Sequence, residues 1–290
     1  MNTTAEGPEG RIAFQGELGA YSHQACRETY PEMEPVPCPT FEDAISVVRR
    51  GEARLAMLPI ENSLYGRVAD IHHLLPESGL YIIREHFVPI RLQLLGLPGA
   101  KLTDIKAAHS HTVALGQCRK FLKDHGIQPM TGGDTAGSAV HVAEMGDKTH
   151  AAIASSLAGE LNGLEVLAAD IEDADHNTTR FLAMSRQKIE ADPLGGDAMT
   201  SFVFEVRNVP AALFKAMGGF ATNGVNMVKL ESYMVNGSFT ATQFYAEIEG
   251  HPDDRSVALA LEELGFFSKH MKVLGVYPAS PYRKVAAQRG

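Results

Sequence analysis

The chain has 290 residues and 44% hydrophobic content, more than one small module needs and enough to fill a sizeable core, which excludes wholesale disorder. Its 26 Lys and Arg against 35 Asp and Glu leave a net charge of -9, the wrong sign for a phosphate-neutralising surface, so nucleic acid is excluded as a partner. No run approaches the roughly 18 uninterrupted apolar residues of a membrane helix and the start resembles no signal peptide, so a cytoplasmic protein without membrane contact is expected.

Arg11-Ile-Ala-Phe14 reads as a short strand ending at Gly16 and Gly19, with Ser22 placed to cap a helix running towards Tyr30. Thr40-Phe-Glu-Asp43 opens a second helix, with apolar Phe41, Ala44, Ile45 and Val48, that stops at Gly51. Strands follow at Leu55 to Leu58, Leu80 to Ile83, Val88 to Leu97, Ile105 to Ala108, Ala151 to Ala154 and Phe181 to Met184. Between them lie amphipathic helices from about His111 to Lys123 and from Thr135 to Met145. This alternation predicts an α/β domain with a largely parallel sheet. Residues 187–199, with Pro193 and Gly195-Gly196 and no apolar period, read as a linker.

Beyond the linker the pattern changes. Phe202, Phe204 and Val206 alternate as in a half-exposed strand, and Pro210 opens a helix that ends at Gly224. Met227 to Val235 and Phe239 to Glu247 flank the hairpin signal Asn236-Gly237. An amphipathic helix over Pro252 to Phe267 and a strand over Met271 to Tyr277 complete a βαββαβ, ferredoxin-like order.

Four loops place small polar residues where a strand hands over to a helix: Gly19 to Ser22, Pro59 to Ser63, His109 to His111 and Asp134 to Ser138. In an open α/β sheet such loops gather at the carboxyl ends of the strands, and the free N–H groups of helix starts favour a small carboxylate. Each loop taken singly also reads as ordinary helix capping. A dinucleotide fold lacks its Gly-x-Gly-x-x-Gly, and a serine-hydrolase elbow is absent. His109 and His111 have the spacing of two metal ligands without an identifiable third, and His72-His73 reads as a solvated pair. Cys26, Cys38 and Cys118 are an odd number without Cys-x-x-Cys spacing, so buried bystander thiols are expected.

Gly19-Ala-Tyr-Ser22, Pro59-Ile-Glu-Asn-Ser63, His109-Ser-His111 with Gln117-Cys118, Asp134-Thr-Ala136 and Asn177-Thr-Thr-Arg-Phe181, followed by a βαββαβ module, together resemble prephenate dehydratase from Arg11 to about Pro278. The resemblance implies a two-lobed catalytic domain like type II periplasmic binding proteins over 11–186, with the second lobe at about 90–170. It further implies a regulatory ACT domain over 200–278 that senses L-phenylalanine. Ten residues before Arg11 are too few for a chorismate mutase domain, so the implied enzyme is monofunctional, a carbon–oxygen lyase.

Prephenate loses carbon dioxide and its ring hydroxyl to give phenylpyruvate, so the enzyme must hold a dianion and help hydroxide leave. Arg180 and amides around Ser22, Asn62 and Ser110 are suited to the carboxylates, and Thr179 to the departing hydroxyl, in a chain with Glu61 or Asp134. The resemblance assigns Asn62, Ser110, Gln117, Asp134 and Thr179 to the catalytic site, with Ser22, Ser63, Thr135, Ala136 and Phe181 beside the substrate, and implies no metal or organic cofactor. Two structural readings stand alongside: Arg180 as an ion pair and Thr179 as a strand-packing residue.

In the second domain the family's Gly-Ala-Leu turn reads Ala211-Ala212-Leu213, and its Glu-Ser-Arg-Pro segment reads Glu231-Ser-Tyr-Met234. The effector contacts implied are Ala211, Leu213, Asn223, Asn226, Glu231 and Ser232, at the subunit contacts of a homodimer or homotetramer. Arogenate dehydratase and a non-catalytic sensor for a small solute are the competing readings.

Overall fold

Ile12, Ala13 and Phe14 have no exposed surface, and the apolar run they belong to forms β1 (Arg11–Gln15) in the first of three sheets. The computed structural model describes residues 8–193, 196–207, 209–234 and 241–287. The Asn236-Gly237 turn lies outside the described residues.

The first lobe contains α1 (Tyr21–Thr29), β2 (Glu34–Cys38), α2 (Phe41–Arg49), β3 (Leu55–Asn62), β4 (Gly66–Arg67), α3 (Ala69–Leu74) and β5 (Tyr81–Pro89). The second contains β6 (Gln93–Gly96), β7 (Ala107–Ser110), α4 (Thr112–Gln117), α5 (Arg119–Asp124), β8 (Gln128–Thr131), α6 (Thr135–Met145), β9 (His150–Ala154), α7 (Ser156–Leu161) and β10 (Glu165–Ala168). The chain then returns to the first sheet as β11 (Thr178–Ser185), giving the order β2-β1-β3-β11-β5, while the second sheet runs β10-β6-β9-β7-β8. Each sheet is mixed: β1 pairs parallel with β2 and β3 but β11 is antiparallel to both neighbours, and β7 is parallel to β8 and β9 while β6 is antiparallel. Four of the five strands in each order share one direction, as the expectation of a largely parallel sheet requires, and only β11 and β6 run against them, where the chain crosses between the lobes.

Local signals account for several elements. Thr40 caps α2 by accepting from the Asp43 amide, and Asp134 caps α6 by accepting from the Gly137 amide. Ser22 caps nothing: α1 starts at Tyr21 after Ala20, and Ser22 is buried inside it. The expected helix from His111 breaks at Cys118 into α4 and α5. The expected strand from Val88 to Leu97 splits into β5 and β6, because Pro89 and the following residues carry the crossover.

The third sheet is built from β12 (Ala198–Val206), α8 (Ala212–Thr222), β13 (Met227–Met234), β14 (Ala241–Glu249), α9 (Arg255–Phe267) and β15 (Ser268–Pro278), in strand order β13-β14-β12-β15. A last helix, α10 (Tyr282–Ala287), follows. Phe202, Phe204, Phe244, Ala246 and Ile248 face α8 and α9, whereas Met199, Val203, Tyr245, Leu274 and Tyr277 join a core with Ile60, Ile71, Leu80 and Ile82 of the first lobe. β12 is therefore buried on both faces rather than half-exposed. Gly275 makes this docking close, because a Cβ at that position would overlap the carbonyl oxygen of Ile82 on β5.

Candidate active site

On β11, Phe181 and Ala183 enter the core shared with α1, while Leu182 and Met184 enter the core shared with the C-terminal module. The strand period of two puts Thr179 on the first face and Arg180 on the second. Thr179 stands opposite Asn62 and Arg180 opposite Glu61, and an extra residue on β3, Ile60, interrupts the register before Pro59 meets Phe181. That bulge exchanges the faces of the last two residues of β3, so Asn62 joins Thr179 and Glu61 joins Arg180.

The Asn62 carboxamide is oriented from one end and read from the other. Its Oδ1 accepts from the amides of Leu64 (2.9 Å) and Tyr65 (3.1 Å), an Asx-type turn that ends β3. Its Nδ2 donates to Asn177 Oδ1 at 2.7 Å and to Thr179 Oγ1 at 3.0 Å. Ser63 donates through Oγ to the His176 carbonyl and accepts at Oγ from the Thr178 amide. Thr179 remains half-buried, so its hydroxyl is reachable. Asn177, buried and central to this network, lies in the same run as Thr179 and has no separate sequence signal.

The other expected residues divide between the lobes. Ser110 ends β7, and its hydroxyl donates to the Ile153 carbonyl at 2.6 Å, so it is spent within the sheet. Gln117 ends α4 and Asp134 precedes α6, with Thr135 half-buried in the first turn. Asp134 lines a cavity of about 370 Å³ with Thr131, Gly132, His109 and His141. Ala136 and Phe181 are core residues with 0% and 1% exposure, so direct substrate contact is replaced by packing. His109 Nε2 lies 2.7 Å from His150 Nδ1 while His111 accepts from the Val113 amide, so these two do not share a ligand site. Among the described residues no group of three or more His, Cys, Asp or Glu has a metal-holding geometry. The three thiols are free and buried, and burial raises each pKa.

Arg180 points away from Thr179 into a buried cluster of charge. It donates to Glu85 (2.8 Å), Glu61 (2.8 Å), Glu247 (2.7 Å) and the Tyr277 hydroxyl (3.0 Å), and its side chain is 3% exposed. Arg283 adds two bonds to Glu85, and Lys229 pairs with Glu61. Burial alone would raise the Glu61 pKa, but the charges of Arg180 and Lys229 override it and hold the carboxyl at about 2. Glu85 is likewise held below its ordinary value against burial, by Arg283 and Arg180. The expected pairing of Arg180 with a substrate carboxylate, and of Glu61 with Thr179, is therefore corrected: both belong to the seam with the C-terminal module.

Two crossovers join the lobes and lie side by side. The Ile90 amide donates to the Asn177 carbonyl and the Ile171 amide to the Leu92 carbonyl, both at 2.9 Å. Tyr21 donates to the Arg91 carbonyl at 2.8 Å. At the far side Ser155 donates to the Gly19 carbonyl, and Gly19, at φ +97°, leaves no room for a side chain: a Cβ would stand 2.8 Å from Ala158 Cα. Asn177 thus belongs both to the crossover and to the Asn62–Thr179 pair.

In the module, Ala211 precedes α8 with φ +60°, the left-handed region. The helix consequently begins at Ala212 and not at Pro210. Leu213 is partly buried near that end, while Asn223, at the other end, donates to Glu263 at 3.1 Å. Asn226 donates to Glu249 (2.9 Å), and Arg67 of β4 reaches both the Glu231 carboxylate (3.2 Å) and the Ser232 carbonyl (3.4 Å). Within one chain these six residues form separate groups along α8 and β13. His72 is buried, contrary to the solvated reading, between the Tyr233 hydroxyl (2.5 Å) and the Ile60 carbonyl (3.2 Å).

A family model described as prephenate dehydratase matches residues 12–189. A bifunctional N-acyl-homoserine lactone acylase/prephenate dehydratase from Komagataeibacter europaeus is 53% identical over 94% of this chain and 97% of its own. An arogenate dehydratase/prephenate dehydratase from Arabidopsis thaliana is 37% identical over 92% of this chain and 72% of its own. The solved structure of a prephenate dehydratase from Arthrobacter aurescens in complex with L-Phe superposes with a TM-score of 0.83 at 32% identity, covering 96% of this chain and 97% of that one.

Proposed function

Since the chain belongs to the prephenate dehydratase family, we propose that it converts prephenate to phenylpyruvate and that Thr179 donates the hydrogen bond the departing ring hydroxyl needs. One observation carries the role: Asn62 donates to Thr179 Oγ1 at 3.0 Å, so the threonine oxygen is an acceptor there and keeps its own proton to give.

As carbon dioxide leaves, the electron pair of its carbon–carbon bond moves into the ring, and the pair of the carbon–oxygen bond departs with the hydroxyl oxygen. Negative charge grows on that oxygen, where a fixed donor lowers the barrier. A threonine hydroxyl is too weak an acid for full prior proton transfer, so its role is a positioned hydrogen bond. With Arg180 committed elsewhere, the substrate carboxylates fall to main-chain amides. The start of α1, which has no side-chain cap, offers such amides.

L-Phenylalanine is the effector in this reading, supported by the complex named for the Arthrobacter aurescens relative. Residues 11–186 are then the catalytic domain; the expected join of 187–199 shortens to 187–197, because β12 already begins at Ala198, and the ACT module runs from there to 278. The separation of Ala211 from Asn223 along α8 favours an effector pocket completed by a second copy, in a homodimer or homotetramer. Among the described residues no helix is long and apolar enough to cross a membrane, and we place the enzyme in the cytoplasm.

Purified protein assayed in parallel with prephenate and arogenate, with and without phenylalanine, tests this reading. Phenylpyruvate formed from prephenate, and suppressed by phenylalanine, is the expected result. Faster release of phenylalanine from arogenate would move the substrate and keep the mechanism, whereas no product from either would overturn the lyase reading. Hydrolysis of an N-acyl-homoserine lactone belongs in the same series, because the 53% identical relative is also named for it.

A further inference from the structure

We propose that the segment beyond the βαββαβ module, through Tyr282 and Arg283, positions Thr179 for reaction; the inference rests on the role of Thr179 given above. After Pro278 the chain does not run on into solvent. It turns at Ala279 to Pro281 and lays α10 against β5, the edge of the first sheet. The Tyr282 ring stacks on Phe87 with centroids 4.7 Å apart and planes at 20°. Its hydroxyl reaches Thr178 Oγ1 at 3.1 Å.

Thr178 is the residue before Thr179, and the chain there is fixed on several sides. Its amide donates to Ser63 Oγ and its carbonyl accepts from the Ser63 amide, both at 2.9 Å. The Tyr282 hydroxyl secures the remaining side chain. Arg283, one residue on, donates to both oxygens of Glu85 at 2.7 and 2.8 Å and reaches Glu247 at 3.4 Å, and the Ser280 amide adds a third bond to Glu85. Glu85 is one of the acids that hold Arg180 on the far side of Thr179.

The two tail residues thus grip β11 on either side of Thr179, one through Thr178 and the other through the acids around Arg180. A donor that stabilises a developing charge must be held to a fraction of an ångström. A tail that only covered the exposed edge of a sheet would need the ring of Tyr282 and not its hydroxyl. That difference separates a positioning role from a covering one.

Tyr282→Phe keeps the ring stack and deletes the hydroxyl. With whichever of prephenate and arogenate is turned over faster, kcat should fall about threefold to tenfold, the effect of one hydrogen bond, while KM and the urea midpoint stay near wild type. Thr178→Val should produce a similar fall, and the double variant should be no slower than either single, because both delete the same contact. Wild-type kcat in Tyr282→Phe, or effects that multiply in the double variant, would overturn the proposal. Thr179→Val is measured alongside: near-normal turnover there removes the role of Thr179 and with it this inference. Loss there with unchanged kcat in Tyr282→Phe removes the inference alone.

Discussion

Thr179 and Arg180 are neighbours on one strand and serve opposite faces of it. Around Thr179 the groups are neutral, two carboxamides and two hydroxyls, and the threonine stays half-buried. Around Arg180 three carboxylates meet two guanidiniums and an ammonium, and the Arg180, Glu85 and Glu247 side chains are at most 3% exposed. The contrast teaches where charge is affordable. A reactive face needs donors that meet substrate without first breaking an ion pair, whereas charges taken out of water must be matched in place, and here they fasten the module to the sheet.

Arg180→Met should bring the largest change, a loss of about 3–5 kcal/mol in urea-unfolding stability, because it leaves buried acids short of a cation. A stable Arg180→Met variant with a greatly raised KM would break the comparison and return Arg180 to the substrate. Next, Thr179→Val should lower kcat roughly 10²- to 10³-fold, the usual result of deleting one preorganised donor, with an unfolding midpoint close to wild type. Comparable destabilisation by the two variants would mean that the faces do not divide the work.

A third test uses pH. Burial, assisted by the charge of Lys229, lowers the His72 pKa from an ordinary 6.5 to about 4. Between those values the unfolded chain binds a proton that the native chain refuses, so stability is full above about pH 6.5 and falls as pH drops through 4. The loss should reach at most about 3 kcal/mol, and His72→Asn should flatten it. Glu61 acts lower: its pKa of about 2 gives stability that is present above about 4.5 and lost as pH falls towards 2. The smallest effect belongs to Ala211→Gly, which relieves a left-handed alanine. It should raise the thermal midpoint by the equivalent of about 1 kcal/mol or less.

Much of this was legible in the chain. The helix over Thr135 to Met145 and its Asp134 cap are read directly from apolar spacing and a capping residue. β2 is not, because Pro35 and Pro37 argue against a strand and are tolerated only at the sheet edge where β2 lies. The alternation of Phe202, Phe204 and Val206 marks one buried face and is silent about what covers the other. At the site, a period of two already separates Thr179 from Arg180, but the pairing of Asn62 with Thr179 depends on the bulge at Ile60, which no spacing announces. Tyr282 and Arg283 lie about a hundred residues from the strand they grip, so only the folded chain brings them there.

Gly275 bears on how freely such a module travels between proteins. With the main chain of β15 lying directly on Ile82 at Gly275, the seam has no side-chain padding at that point to absorb a mismatch. A βαββαβ unit recombined onto this catalytic domain from another gene would have to bring a residue without a Cβ at that spot and an acid where Glu247 meets Arg180. Few donors meet both conditions by chance, so the two parts are expected to be inherited together and to resist exchange in chimeras.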